Sequence, residues 1–161
     1  MNVYDFAMKI ELQGKAYYEN LAASAQASWL RTIFLELARD EQKHFDALRG
    51  LKEGDMSEMP DSRALEHARS VFSELLGRGD VVAGMQDALD AYGLALKIEA
   101  DSVRLHEDMA RREENPETVQ LFLTIANEEK KHYNIIENIC DFIRRPKYYL
   151  KWHEFTNIEE S

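Results

Sequence analysis

The sequence predicts an all-α protein: a four-helix bundle made of two duplicated antiparallel hairpins, joined by one long crossover that contains a short helix. Three observations carry this. Residues 4 to 49, displaced by 88 positions, fall on residues 92 to 137 with 13 identities in 46 positions and no gap. Apolar residues recur at helical spacing through long stretches that the 3 Pro and 7 Gly barely interrupt. The links inside each half are short, whereas the link between the halves is long.

The repeat runs through both helical segments of each half. Tyr4, Ala7, Lys9, Ile10 and Glu11 return as Tyr92, Ala95, Lys97, Ile98 and Glu99. Glu19 and Ala22 meet Glu107 and Ala110, and Phe34, Leu35, Ala38, Glu41, Lys43 and His44 meet Phe122, Leu123, Ala126, Glu129, Lys131 and His132. Several other positions exchange one apolar residue for another, such as Met8 for Leu96. An internal duplication of a helix pair explains this economically, and its period is longer than that of the common short-repeat arrays.

Taken in order, residues 3 to 25 form the first expected helix, with Phe6, Ile10, Leu12, Tyr17, Leu21 and Ala22 in a helical pattern. After the short connection 25 to 28, Ser28 is the expected N-cap of a second helix from Trp29 to about Leu51, with Leu30, Ile33, Phe34, Leu37, Ala38, Phe45 and Leu48 on its apolar stripe. The break Gly54 to Pro60 ends it. Asp61 or Ser62 then caps a shorter helix to about Leu76, closed by Gly77 and Gly79. A third main helix is expected from Val82 or Met85 to Arg112. Asn115, Pro116 and Glu117 supply an N-cap, a residue suited to the first helical position and an acid that complements the helix dipole, so a fourth helix starts there and runs to about Ile143 before Pro146. Short links make each pair an antiparallel hairpin, and residues 50 to 84 are long enough to cross the bundle. Residues 1–145 are therefore read as the bundle and 146–161 as an aromatic, amphipathic tail that packs on it or on a partner subunit, as burial of its apolar side chains would favour.

Composition narrows the class of function. At 161 residues and 45% apolar content the chain can bury one sizeable core. A net charge of −10 argues against nucleic acid or an anionic membrane as partner. No basic and apolar leader opens the sequence and no run of about 18 apolar residues exists to span a bilayer, so a cytoplasmic location is expected. The single cysteine, Cys140, forms no internal disulfide, fits a reducing compartment and reads as a small core residue.

The chemistry lies in the repeated acids and imidazoles. On a helix, residues three apart share a face, so Glu41 with His44 and Glu129 with His132 each grip one small volume. Single carboxylates from Glu11 and Glu99 on the other two helices bring the set to six ligands for two metals, the pattern of dinuclear carboxylate bundles. Glu11 to Glu41 and Glu99 to Glu129 both span 30 residues, which sets all four at one height on up-down hairpins whose turns lie midway. Four carboxylates in a core repel one another and lose hydration, so they either protonate or hold cations. Mixed carboxylate and imidazole ligation suits iron first, with manganese or a mixed pair as the alternative, whereas Mg²⁺ and Ca²⁺ prefer all-oxygen shells. Tyr18 and His106 occupy equivalent places seven residues beyond Glu11 and Glu99 and are candidates for contact with the ligands, His106 also as an extra ligand. Asp40 and Glu128 face outward or hydrogen-bond the ligand histidine of a neighbouring helix.

The segments Ala-Met-Lys-Ile-Glu11 with Tyr-Tyr-Glu19, Asp-Glu41-Gln-Lys-His44, Ala-Leu-Lys-Ile-Glu99 and Glu-Glu129-Lys-Lys-His132 resemble the rubrerythrin family of the ferritin-like superfamily over about residues 3 to 145. The resemblance implies a ferritin-like di-iron bundle in which Glu41 and Glu129 bridge two irons, Glu11 and Glu99 bind terminally, and His44 and His132 each bind one iron. It also implies reduction of hydrogen peroxide at the diferrous site. Two departures matter. Rubrerythrins proper have another carboxylate three residues after the third-helix Glu, where this chain has Ser102. They also have a rubredoxin-like site of paired Cys-x-x-Cys motifs, so electrons must here come from a separate donor such as a rubredoxin-like protein.

The leading expectation is thus a di-iron oxidoreductase acting on hydrogen peroxide or O₂, a homodimer in view of its aromatic tail. Ferroxidase and iron-storage activity is one alternative, and a metal-binding redox sensor is another.

Overall fold

A computed structural model describes residues 2–55, 58–75 and 77–146. Its helices are α1 (Val3–Ala23), α2 (Ser28–Lys52), α3 (Ala64–Leu75), α4 (Leu89–Arg112) and α5 (Pro116–Arg144), with 3₁₀ turns at Gly79–Val82 and Gln86–Ala88. Among the described residues there is no strand. α1 packs most extensively on α2, and α4 on α5, while α1 touches α4 and α2 touches α5. These are the two hairpins of a four-helix bundle. The crossover carries α3 over the outside, against α2 and α5.

Local chemistry places the helix ends. Asn115 accepts hydrogen bonds from the backbone N–H groups of Glu117 and Thr118, with Pro116 leading α5 as expected. Asn2 caps α1 through the N–H of Asp5. Ser28 is not a cap: it is the first residue of α2, preceded by Ala27, which makes no side-chain cap bond. Ser62 receives the N–H of Ala64 as expected and also donates to Asp40 Oδ2 at 2.5 Å. α4 starts later than the periodicity predicts, because residues 79 to 88 turn in 3₁₀ steps around Gly84, whose φ of +80° favours glycine. Val82 and Met85 are buried there without being α-helical. Leu76, the last residue expected of α3, and the tail from Lys147 to Ser161, expected to pack on the bundle or a partner, lie outside the described residues.

The inward face of α1 is also offset from the predicted stripe. Phe6 and Leu12 are 45% and 41% exposed, and the buried face is Ala7, Glu11, Gly14, Tyr18, Leu21 and Ala22. The period is helical but its phase follows the carboxylate, not the largest apolar side chains.

A polar layer divides the core in two. On one side lie Tyr18, Phe34, Leu37, Phe72, Ile139 and Phe142 with their neighbours; on the other, a smaller cluster of Ala7, Leu48, Met109, Ala110, Phe122 and Ile125. Each main helix contributes to both clusters and passes through the layer once. Burial of such side chains is the principal stabilising term, about 1.5–3 kcal/mol for each large one, and it holds the polar layer away from water.

Candidate metal centre

Glu11 of α1, Glu41 and His44 of α2, Glu99 of α4, and Glu129 and His132 of α5 all lie in that layer, each no more than 3% exposed. Their ligand atoms form two groups whose members lie within 4.8 Å of one another: Glu11, Glu41, His44 and Glu129, and Glu41, Glu99, Glu129 and His132. Glu41 and Glu129 belong to both. The structure thus brings together all six residues singled out from the repeat.

The imidazoles are oriented by carboxylates of the opposite hairpin. His44 Nε2 lies 2.8 Å from Glu128 Oε1, and His132 Nε2 lies 2.8 Å from Asp40 Oδ2. With Nε2–H donated outward, each ring turns Nδ1 inward. His44 Nδ1 is 3.1 Å from Glu129 Oε1 and 3.3 Å from Glu11 Oε2; His132 Nδ1 is 3.2 Å from Glu41 Oε1. Of the two alternatives for Asp40 and Glu128, hydrogen bonding to a ligand histidine is the one realised.

Sequence reasoning missed two residues. Lys43 reaches both of these outer carboxylates, 3.3 Å from Asp40 and 3.9 Å from Glu128, so one ammonium tethers the supports of both histidines. Its retention as Lys131 in the second copy was a visible signal. Gly14 lies buried one turn after Glu11, and a Cβ there would sit 3.1 Å from Glu41 Oε2. A mid-helix glycine costs about 1 kcal/mol relative to alanine, and here it leaves room for that carboxylate.

The residues fit a metal pair on an independent count. Glu11 Oε1, Glu41 Oε1, Glu99 Oε2, Glu129 Oε2 and His132 Nδ1 are buried without a hydrogen-bond partner. Each orphaned polar atom costs about 1–3 kcal/mol, and a cation would satisfy all of them at once. The electrostatics agree. Burial together with the charges of Glu11 and Glu129 pushes Glu41 well above the usual carboxylate range, and burial together with Glu129 and Glu41 does the same to Glu99. Burial and Glu129 raise Glu11 to about 7. Burial also opposes ionisation of Glu129, but the adjacent Glu99 carboxyl and the His132 and His44 imidazoles outweigh it and hold that carboxyl well below its usual range.

A family model for rubrerythrin matches residues 2–140. The chain belongs to the rubrerythrin family. No curated protein and no solved structure matches it. Rubrerythrins are di-iron carboxylate proteins, and the buried Glu and His groups found here suit that chemistry. No helix among the described residues is long and apolar enough to cross a membrane.

Tyr18 donates its hydroxyl to Glu99 Oε1 at 2.6 Å and stands edge-on to His132. His106 is fully buried with Nε2 3.4 Å from Glu11 Oε1. Both candidates from the sequence therefore contact a carboxylate of the cluster, Tyr18 that of Glu99 and His106 that of Glu11. Cys140 is buried in the larger cluster, and burial raises its thiol to about 11, the behaviour of an inert core residue.

The outer carboxylates can be tested separately from the ligands. Asp40→Asn should weaken metal binding by about 10–100-fold, because an amide no longer fixes the ring's proton on Nε2 or supports charge on the imidazole. Glu128→Gln should act likewise through His44. Competition against a chelator of known affinity checks both, and unchanged binding would remove the orienting role.

Proposed function

We propose that this rubrerythrin-family protein is a di-iron oxidoreductase that reduces hydrogen peroxide to water with electrons from a separate donor. The observation carrying this reading is the sharing of Glu41 and Glu129 between two four-residue groups, each completed by a histidine held from behind. Sharing suits a dinuclear centre better than two independent ions, and the mixed donor set favours iron, with manganese as the alternative. A reduced iron pair bound there supplies two electrons, one from each ion, which with two protons turn hydrogen peroxide into two waters.

The chain's own groups do the rest. Glu41 and Glu129, which belong to both groups, would hold both ions, while Glu11 and Glu99 would each hold one. The two apolar clusters on either side keep bulk water out, so charge inside the layer is weakly screened. Tyr18 holds its proton firmly, since burial and then the charge of Glu99 push the phenol well above its usual range. That O–H is a fixed donor to Glu99 Oε1. With one cysteine in these 161 residues, no four-thiolate iron site forms within them, so a rubredoxin-like protein is the proposed reductant and a reducing cytoplasm the proposed compartment.

Anaerobic, reduced protein loaded with two irons per chain should consume one hydrogen peroxide per iron pair in a single turnover, and an artificial donor should restore the diferrous state. If the irons stay ferrous in peroxide, the assignment is wrong. Loading of many irons per chain would instead indicate storage, and slow oxidation accompanied by a change of oligomer would indicate a sensor.

A further inference from the structure

His106 and Tyr18 are duplicates of one another, 88 positions apart, yet they present opposite chemistry to the site. The two side chains cross between helices. Tyr18 of α1 reaches Glu99 of α4, and His106 of α4 reaches Glu11 of α1. The phenol offers a proton, and Glu99 Oε1 accepts it.

The imidazole has none to offer. His106 Nδ1 lies 2.8 Å from the backbone carbonyl oxygen of Ser102, an atom that only accepts, so the ring proton sits on Nδ1 and Nε2 carries a bare lone pair. Nε2 faces Glu11 Oε1 at 3.4 Å. Neither atom has a hydrogen-bond partner, and both residues are 0% exposed. With Glu11 ionised, two acceptors without partners face each other in a dry core, an arrangement that costs free energy at both atoms unless a proton returns to the carboxylate or a metal ion lies between them.

The separation suits that cation. Two ligand atoms each about 2.1 Å from one ion, at a roughly tetrahedral angle, stand about 3.4 Å apart. The other oxygen of the same carboxylate, Glu11 Oε2, faces His44 Nδ1 at 3.3 Å. Glu11 therefore opens on an imidazole nitrogen on each side, whereas Glu99 has a phenol in place of the second one.

We propose that His106 Nε2 is a seventh metal ligand of this protein, binding together with Glu11 Oε1. The proposal rests on the dinuclear reading above and goes beyond it: His106 Nε2 pairs with Glu11 Oε1 but lies outside the 4.8 Å reach that defines either four-residue group, so its ring must close toward the ion as the ion binds. It makes the two metal positions unequal. The position beside Glu11 draws on His44 and His106, and the position beside Glu99 on His132 alone. Because imidazole suits Fe, Zn and the later metals while carboxylate suits Mn and Mg, the Glu11 position should select more strongly for the former.

Zn(II) is a suitable probe, being diamagnetic and redox-silent. In the full chain labelled with ¹⁵N-histidine, long-range ¹H–¹⁵N spectra recorded up to two Zn(II) per chain should move three ring nitrogens to metal-bound positions: Nδ1 of His44, Nδ1 of His132 and Nε2 of His106. His106→Phe should weaken one of the two Zn(II) sites at least tenfold and leave the other within about twofold. If His44 and His132 shift while His106 Nε2 does not, the seventh ligand is refuted and the dinuclear centre survives. If none of the three shifts, the dinuclear reading itself fails. The wild-type spectra decide the matter even if the His106→Phe chain does not fold.

Discussion

Glu129→Gln should abolish binding of the metal pair and lower the stability of the metal-free protein by about 3–5 kcal/mol, whereas Glu41→Gln should abolish binding and leave metal-free stability nearly unchanged. Both residues belong to both ligand groups, so either substitution takes the charge and one donor oxygen from a carboxylate common to both positions. Their metal-free roles differ. Glu129 is the carboxylate held ionised by His44, His132 and Glu99, and it lies 3.1 Å from one imidazole and 3.6 Å from the other. A neutral amide there leaves two buried imidazoles, both raised by the surrounding carboxylates, without their common anion. Glu41 is pushed the other way, toward its neutral form, which an amide reproduces with little change in volume. Metal analysis and thermal melts in chelator read out the two effects. For a chain of this size the Glu129 variant should melt roughly 10 °C lower, and equal melting points for the two variants would refute the proposed division of charge.

Metal affinity should rise steeply from pH 6 to pH 8, by about tenfold per pH unit for each proton an ion displaces. Glu11 titrates at about 7, and Glu41, Glu99, His44 and His132 are all shifted upward. Protons and ions compete for these same atoms. The stability of the metal-free protein should move in the opposite direction. Glu11 has a folded pKa of about 7 against an ordinary value of 4.5, so the stability it contributes is complete below about pH 4.5 and is lost as pH rises through 7. The other four raised groups act with the same sign. Asp40 works against them at low pH: burial alone would raise it, but the hydrogen bond and charge of His132, with Ser62 and Lys43, hold it at about 2. Its contribution is present above its ordinary 3.8 and disappears as pH falls toward 2. From pH 6 to 8 the raised groups dominate, so metal-free protein should melt lower at pH 8 while metal-loaded protein gains. Calorimetric titration in two buffers of different ionisation enthalpy counts the released protons. No release, or a metal-free melting point that climbs over this interval, would overturn the account.

Much of the candidate centre is legible in the sequence, because the signals that encode it are local or duplicated. Glu41 with His44, and Glu129 with His132, are helical neighbours, and the 30-residue interval to Glu11 and Glu99 sets their height on each hairpin. Asn115 and Pro116 announce α5 within two residues. Errors arose where local signals compete. Ser28 looks like a cap but enters the helix, and Val82 and Met85 are buried by a segment of 3₁₀ turns instead of by an extension of α4. On α1 the largest apolar side chains predicted the helical period but not its inward face, since Glu11 and Tyr18 occupy that face.

By itself, then, the sequence determined the helix pairs, the six ligand candidates and the kind of metal they suit, all of which follow from spacing along one chain and its repetition. Only the tertiary structure decided which nitrogen of each imidazole faces inward, that Asp40 and Glu128 support the histidines of the opposite hairpin, that Lys43 joins those two supports, and that His106 meets Glu11 lone pair to lone pair. The physical reason is distance along the chain. The supporting hydrogen bonds link residues 84 and 92 positions apart, and helical periodicity specifies the face a side chain occupies without specifying which atom of a distant helix will meet it there.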